Sequence, residues 1–208
     1  MRGICLMIGY GWGCWLTAAW VARRRGVSIF EAGSGNPGMA NVMALWGPGP
    51  GLATLAGDLA KVVAARLTAA MIFPGGGLTA TAWVGLGTVL GHDFPFWHRF
   101  RGGKGVAVTG AAAVLMRPCW GFLALGLAAL AVIISHYLCV GAVMLPAAFS
   151  APAFCFGGTA IGGIAVAFTL LMLAKNVGGF RRMRRGEEAP IDVAAKLRAV
   201  WRRRKPPS

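Results

Sequence analysis

Two glycine-rich polar stretches, Gly33-Ser34-Gly35-Asn36-Pro37-Gly38 and Arg101-Gly102-Gly103-Lys104-Gly105, interrupt an otherwise apolar chain. Glycine leaves backbone N–H groups uncovered, and a helix start adds a positive dipole, so each stretch is suited to holding a phosphate. Lys104 adds a mobile point charge to the second. Its spacing is not that of a P-loop, so no nucleoside triphosphate is implied. In the first stretch, Asn36 before Pro37 reads as a helix N-cap followed by the first helical residue. The competing reading is a tight turn between helices that needs no ligand. His92, ahead of the second stretch, reads either as a general base or as a hydrogen-bonded structural histidine. Phe94, Pro95, Phe96, Trp97 and Phe100 suit an aromatic belt at a membrane interface.

A second group of polar residues lies inside an apolar run. Asp58 and Lys61 have the i, i+3 spacing that puts them on one helix face. Ionisable side chains are costly there, so a paired, inward-facing, functional position is expected. A structural ion pair that fixes helix packing is the alternative. Arg66, nearer the end of the same run, is expected to snorkel.

The elements that carry these residues follow from composition. Of 208 residues 57% are hydrophobic, and 6 acidic residues face 21 Lys and Arg; mean hydropathy is +0.64. This is an all-α integral membrane protein. Apolar runs near the length of about 20 residues that spans a bilayer fall at 3–22, 52–73, 78–91, 106–116, 118–135, 138–156 and 159–174, predicting seven membrane helices. The run 106–116 is short, since 11 residues of helix rise only about 17 Å. It must borrow its glycine-rich lead-in or lie in a thinned region.

Alternate loops are basic, and basic loops stay in the cytoplasm. Arg23 to Arg25, the group Arg99, Arg101 and Lys104, and the tail from Lys175 hold 17 of the 21 basic residues. The N-terminus is therefore expected outside and the C-terminus in the cytoplasm, with both glycine stretches on the cytoplasmic face. Residues 1–180 read as one multi-span domain and 181–208 as a basic tail. The net charge of +15 and the run Trp201-Arg202-Arg203-Arg204-Lys205 superficially suggest nucleic acid. A basic tail beside a membrane gains about 1 kcal/mol per residue from anionic headgroups, so membrane lipid is the expected partner and nucleic acid is not. The first apolar run carries its charge cluster after it, as a retained span does, and not before it, as a signal peptide does. Five cysteines without a C-x-x-C pair read as packing residues. There is no internal repeat.

At these residues the chain resembles a family. Gly33-Ser34-Gly35-Asn36 with Asn41-Val42, Asp58 with Lys61, Gly91-His92 through Phe94-Pro95 with Gly102-Gly103-Lys104-Gly105-Val106-Ala107, and the segment Lys175 to Glu188 are similar to the PlsY-type acyl-phosphate:glycerol-3-phosphate acyltransferases. The resemblance implies a seven-helix membrane enzyme that moves a fatty acyl group from acyl-phosphate to glycerol 3-phosphate. The products are lysophosphatidic acid and inorganic phosphate, with no metal, cofactor or acyl carrier. It implies that Ser34, Gly35, Asn36, Asn41, Gly102, Gly103, Lys104 and Arg182 hold phosphates, that His92 and Lys104 take part in catalysis, and that Asp58 and Lys61 support the site from within the membrane. An acyl-phosphate is already activated, so the task is to position two phosphates and a hydroxyl and to stabilise an oxyanion.

The chain departs from the family pattern at several positions. Ala40 and Ala44 stand where the first motif has Thr and Arg; Cys139 stands for a substrate-contacting Ser; Asn176 and Gly179 stand for His and Asn. The second motif is intact. Two alternatives follow: the same donor with a different acceptor, or a non-catalytic transporter or lipid-binding relative. The His followed four residues later by Asp that marks other acyltransferases of this pathway is absent.

Overall fold

The computed structural model describes residues 1–188 and 190, and among them every element is helical. In chain order these are α1 (Arg2–Gly13), α2 (Thr17–Arg23), α3 (Met39–Trp46), α4 (Pro48–Ile72), α5 (Gly77–Asp93), α6 (Val106–Met116), α7 (Pro118–Ser135) and α8 (Leu138–Arg184), with a 3-10 turn at Phe96–His98. Three helical segments are long and apolar enough to cross a membrane: Arg2–Arg23 taken across α1 and α2, α7, and α8. The expected all-α membrane architecture is the observed one.

Glycine sets the closest helix contact. A β-carbon at Gly9 or Gly13 of α1 would collide with the backbone of Val84 or Thr88, and one at Gly87 or Gly91 of α5 with the backbone of Leu6 or Tyr10. Each helix therefore carries a G-x-x-x-G pair facing the other, and the two backbones meet without intervening side chains. The main core fills the space among α4, α5, α6 and α8, with Val62, Val89, Val108, Phe149, Phe168 and Met172 fully buried. The turns at 73–76 and at Arg117, together with the bend at Gly158, lie at one end of the bundle. The segments 24–38, 94–105 and 136–137 and the close of α8 gather at the other, which is the end that holds the polar residues.

Several local expectations change. The first apolar run is not one helix: it breaks at Cys14–Leu16 between α1 and α2. The carbonyls freed by the break, which a helix end leaves without partners, accept from other elements. Trp97 Nε1 donates to Cys14 O at 3.0 Å, and Lys61 Nζ donates to Trp15 O at 2.9 Å. The last two runs are the limbs of α8, bent at Gly158 (φ 64°, ψ −164°), a backbone conformation that glycine tolerates. The second limb runs on to Arg184, past the expected domain edge at 180, and the basic stretch 201–205 lies outside the described residues. Asn36 and Pro37 do not start α3; its N-cap is Gly38 (φ −145°, ψ 169°). The reason is Asn41, inside α3, whose side chain binds back to the preceding turn and fixes its shape. Arg66 does more than snorkel: its Nε donates to Thr81 Oγ1 at 2.6 Å, tying α4 to α5.

The short run 106–116 is a helix, and its lead-in solves the length problem in an irregular way. Residues 101–105 are not helical, yet Gly103 and Gly105 are buried against the end of α5. Irregular backbone at that depth is tolerated when protein covers it.

Candidate active site

The glycine loop is held by the last turn of α5. Gly103 N–H donates to His92 O at 3.0 Å. A β-carbon at Gly102 would collide with that same carbonyl, and one at Gly103 would collide with His92 Nε2. Gly105 caps α6 in the left-handed region (φ 70°), and a β-carbon there would stand 2.7 Å from Asp93 Oδ1. All three glycines are thus required by close approach to two residues of α5, Gly102 to the backbone and Gly103 and Gly105 to the side chains of His92 and Asp93. Arg99 and Phe100, which lead into the loop, also have positive φ (54° and 59°), an uncommon conformation for residues with side chains.

His92 is buried, and its partners come from α4. Lys61 Nζ lies 2.7 Å from His92 Nδ1 and 2.9 Å from Asp58 Oδ1. The intramembrane pair expected from sequence is therefore formed, faces inward, and is in contact with the histidine that the loop rests on. Asp93, the next residue, is fully buried, and neither carboxylate oxygen has a hydrogen-bond partner among the described residues. Lys175 Nζ of α8 donates to Asp93 O at 2.8 Å and stands 4.6 Å over the Phe94 ring.

Lys104 is half-buried at the mouth of this loop. Burial pushes its ammonium below the ordinary lysine range; Glu188 opposes that shift and the Arg182 charge adds to it. Arg182 Nε pairs with Glu188 Oε2 at 2.6 Å. Lys104, Arg182, Glu188 and Cys139 form one electrostatic group that joins the loop to both ends of α8. A β-carbon at Gly179 would be 3.2 Å from Cys139 Cβ and 4.0 Å from an Arg182 guanidinium nitrogen. Two of the departures from the family pattern, Cys139 and Gly179, therefore face each other at the site. The other three do not open into it: Asn176 is buried and donates to Met172 O of its own helix at 2.9 Å, and Ala40 and Ala44 are exposed on α3.

The first glycine stretch is organised by Asn41, whose Oδ1 accepts from Ser34 N–H at 2.9 Å and whose Nδ2 donates to Ala32 O at 3.0 Å. Ser34 is exposed and Asn36 and Gly35 are half-buried. No hydrogen bond joins this turn to the Lys104 loop among the described residues. The link runs through Phe30, whose ring lies 5.3 Å from His98 and 5.6 Å from the Arg101 guanidinium. The two stretches are neighbours at one end of the bundle, and Asn41 acts on the turn and not on an open surface.

Three groups were missed by sequence reasoning. Asp93 carried a usable signal, since an acidic residue closing an apolar helix beside a glycine loop is costly unless employed. Lys175 reads as the start of the basic tail, yet it belongs to a helix packed on α5. The Trp15 carbonyl had no signal, because its availability depends on the break between α1 and α2.

The chain has clear relatives. The sequence profile of the family "Glycerol-3-phosphate acyltransferase" matches residues 3–186. Glycerol-3-phosphate acyltransferase 1 of Lactobacillus johnsonii is 40% identical over 82% of this chain and 82% of its own length. Glycerol-3-phosphate acyltransferase of a Bradyrhizobium species is 35% identical over 90% of this chain and 94% of its own. In fold, the chain is similar to crystal structures of PlsY (YgiH), an integral membrane glycerol 3-phosphate acyltransferase. The glycerol 3-phosphate form aligns with a TM-score of 0.82 at 22% identity, over 94% of this chain and 98% of that one. The form with lysophosphatidic acid aligns at 0.80. With the profile covering nearly the whole chain and the polar end of the bundle built around its most family-like loop, this protein belongs to the glycerol-3-phosphate acyltransferase family.

Proposed function

We propose that the protein transfers a fatty acyl group from acyl-phosphate to the first hydroxyl of glycerol 3-phosphate, at the cytoplasmic face of the plasma membrane. The hydroxyl oxygen bonds to the acyl carbon, the bond from that carbon to the phosphate oxygen breaks, and inorganic phosphate leaves. The hydroxyl proton goes to the departing phosphate or to water. The observation that carries this reading is the half-buried Lys104, with Arg182 close enough to influence its charge, on a loop that leads directly into the start of α6. Lys104, Arg182 held by Glu188, and the start of α6 together make a phosphate cradle. A backbone and charge framework of this kind also stabilises the oxyanion formed as the hydroxyl attacks. The membrane orientation rests on the distribution of basic residues.

Purified protein supplied with palmitoyl phosphate and glycerol 3-phosphate is expected to release phosphate and form lysophosphatidic acid, and Lys104→Ala to abolish both. Absence of product from folded wild-type protein would refute the reading. A second reading, the same donor with another acceptor, is favoured by Cys139 and Gly179, which face each other where the family has hydrogen-bonding side chains. Donor turnover that glycerol 3-phosphate does not accelerate, but another polyol phosphate does, would select it.

A further inference from the structure

The hydrogen-bond pattern around Lys61 carries information about a proton that lies on another residue. Its Nζ is ringed by Asp58 Oδ1 at 2.9 Å, Trp15 O at 2.9 Å and His92 Nδ1 at 2.7 Å. An ammonium has three N–H donors and no acceptor, and here it meets three acceptors. The contact with His92 is therefore lysine donating and Nδ1 accepting. A nitrogen that accepts carries no hydrogen, so the ring is neutral and its one proton sits on Nε2. That nitrogen is the one lying against Gly103, in the loop whose N–H is already tied to the carbonyl of the same histidine.

We infer that the Asp58–Lys61 pair locks His92 as an Nε2–H donor beside the Gly102–Gly103 loop, so that His92 holds the loop and a phosphate oxygen there and does not act as the base. This deepens the proposed function, because it rests on the loop being the phosphate site. Asp58 and Lys61 are positioning residues that act through His92. The reacting hydroxyl then loses its proton to phosphate or water, with no histidine in the path.

The arrangement also accounts for the cost the chain bears in burying two charges. An uncharged histidine has two tautomers, and the wrong one would place a bare, acceptor nitrogen beside an anion. A lysine donor at Nδ1 removes that tautomer, and a carboxylate on the far side of the lysine holds the donor in place. The Trp15 carbonyl, freed by the helix break, fills the third direction, so Lys61 has no other orientation to adopt.

The test combines a spectroscopic readout with one conservative variant. In wild-type protein labelled with 15N-histidine and held in detergent, the His92 signal, assigned by its loss in His92→Gln, is expected to report the Nε2–H tautomer. In Lys61→Met it is expected to move toward a mixture. Gln at 92 keeps a donor but offers no base, so His92→Gln is expected to raise the KM for the phosphate substrates more than it lowers kcat, with activity within about ten-fold of wild type, the worth of one hydrogen bond. If His92 were the base, kcat would instead fall by about 10²- to 10⁴-fold. An Nδ1–H tautomer or an imidazolium in wild type overturns the inference, as does a collapse of kcat in folded His92→Gln with KM unchanged. Binding of inorganic phosphate to wild type, followed by 31P NMR, separates the two layers. An Nε2–H tautomer without phosphate binding would sink the phosphate reading while leaving the lock in place. Should His92→Gln fail to fold, the Asp58→Leu, Lys61→Met double variant, which leaves no unpaired buried charge, supplies the assignment by its shifted signal, and the wild-type tautomer alone decides.

Discussion

Lys61 Nζ stands 2.9 Å from Asp58 Oδ1, one turn along α4, with only 2% and 4% of the two side chains exposed. A pair sealed this tightly is unequal in its response to change. Removing one partner leaves a buried charge without compensation, at a cost of about 3–5 kcal/mol, whereas replacing both with apolar residues of similar volume is often neutral. Asp58→Leu alone is therefore expected to lower the unfolding temperature in detergent steeply, and Asp58→Leu with Lys61→Met to recover most of it. The recovered double variant should still be impaired in turnover, because nothing then orients His92. Equal destabilisation in single and double variants would show that the pair is not the unit.

Lys104 predicts an alkaline limit. Burial holds its ammonium below the usual lysine range, so the charge is complete at low pH and is lost, as pH rises, earlier than from a free lysine. Phosphate binding should follow that loss, falling at a pH below the ordinary lysine value. Lys104→Arg keeps the charge to higher pH and should move this limb upward, even if its different shape lowers the maximum rate. Phosphate release measured across pH for both proteins checks the direction. An unmoved limb would assign the titration to another group.

The interface of α1 with α5 makes a paired prediction about glycine. At Gly13 a β-carbon would lie 2.9 Å from the Thr88 α-carbon and closer still to its carbonyl oxygen, whereas at Gly3 of the same helix nothing lies within 4 Å. Gly13→Ala is expected to destabilise by about 1–3 kcal/mol, the usual cost of overpacking. Gly3→Ala is expected to be neutral or to gain up to about 1 kcal/mol from helix propensity. Yield of monodisperse protein and its thermal midpoint report both.

Cys139 gives a prediction about substrate. Its side chain faces Gly179 and shares the electrostatic group of Lys104 and Arg182. Cys139→Ser changes one atom and restores a firm hydrogen-bonding group without altering the packing volume much. If glycerol 3-phosphate is the acceptor, its KM should fall a few-fold in this variant. A variant in which only donor hydrolysis changes would support a different acceptor.

The apolar runs were legible because each is strongly hydrophobic, and the structure covers every one with helix, splitting 3–22 in two and joining the last two in α8. The loop from Arg101 to Gly105 was legible for a different reason: its glycines, lysine and following helix start are all local. What escaped was non-local. The break between α1 and α2 leaves no mark in 3–22, since Cys14, Trp15 and Leu16 are as apolar as their neighbours; it exists because Trp97 and Lys61 accommodate the freed carbonyls. α3 is capped two residues later than Asn36 and Pro37 imply, because Asn41, seven positions after Ser34, overrides their local capping preference. Asp58 and Lys61 were recognisable as a pair, but not as a pair directed at His92, which is 31 residues further along the chain. The glycine pairs Gly9 with Gly13 and Gly87 with Gly91 are visible as a pattern, but which two helices they join is fixed only by the fold.

The glycine contact between α1 and α5 has one further consequence, for how the protein sits in membranes of different thickness. Helices that touch through side chains can slide or tilt against each other to match the bilayer. These two meet backbone to backbone at four glycines, so they are mechanically one strut, and α5 delivers His92 and Asp93 at a fixed height along it. Adjustment to a thicker or thinner bilayer must then fall on α7 and on the bend at Gly158, which lie away from that strut. The depth of the loop in the bilayer is set by the protein, and the surrounding lipid adapts to it.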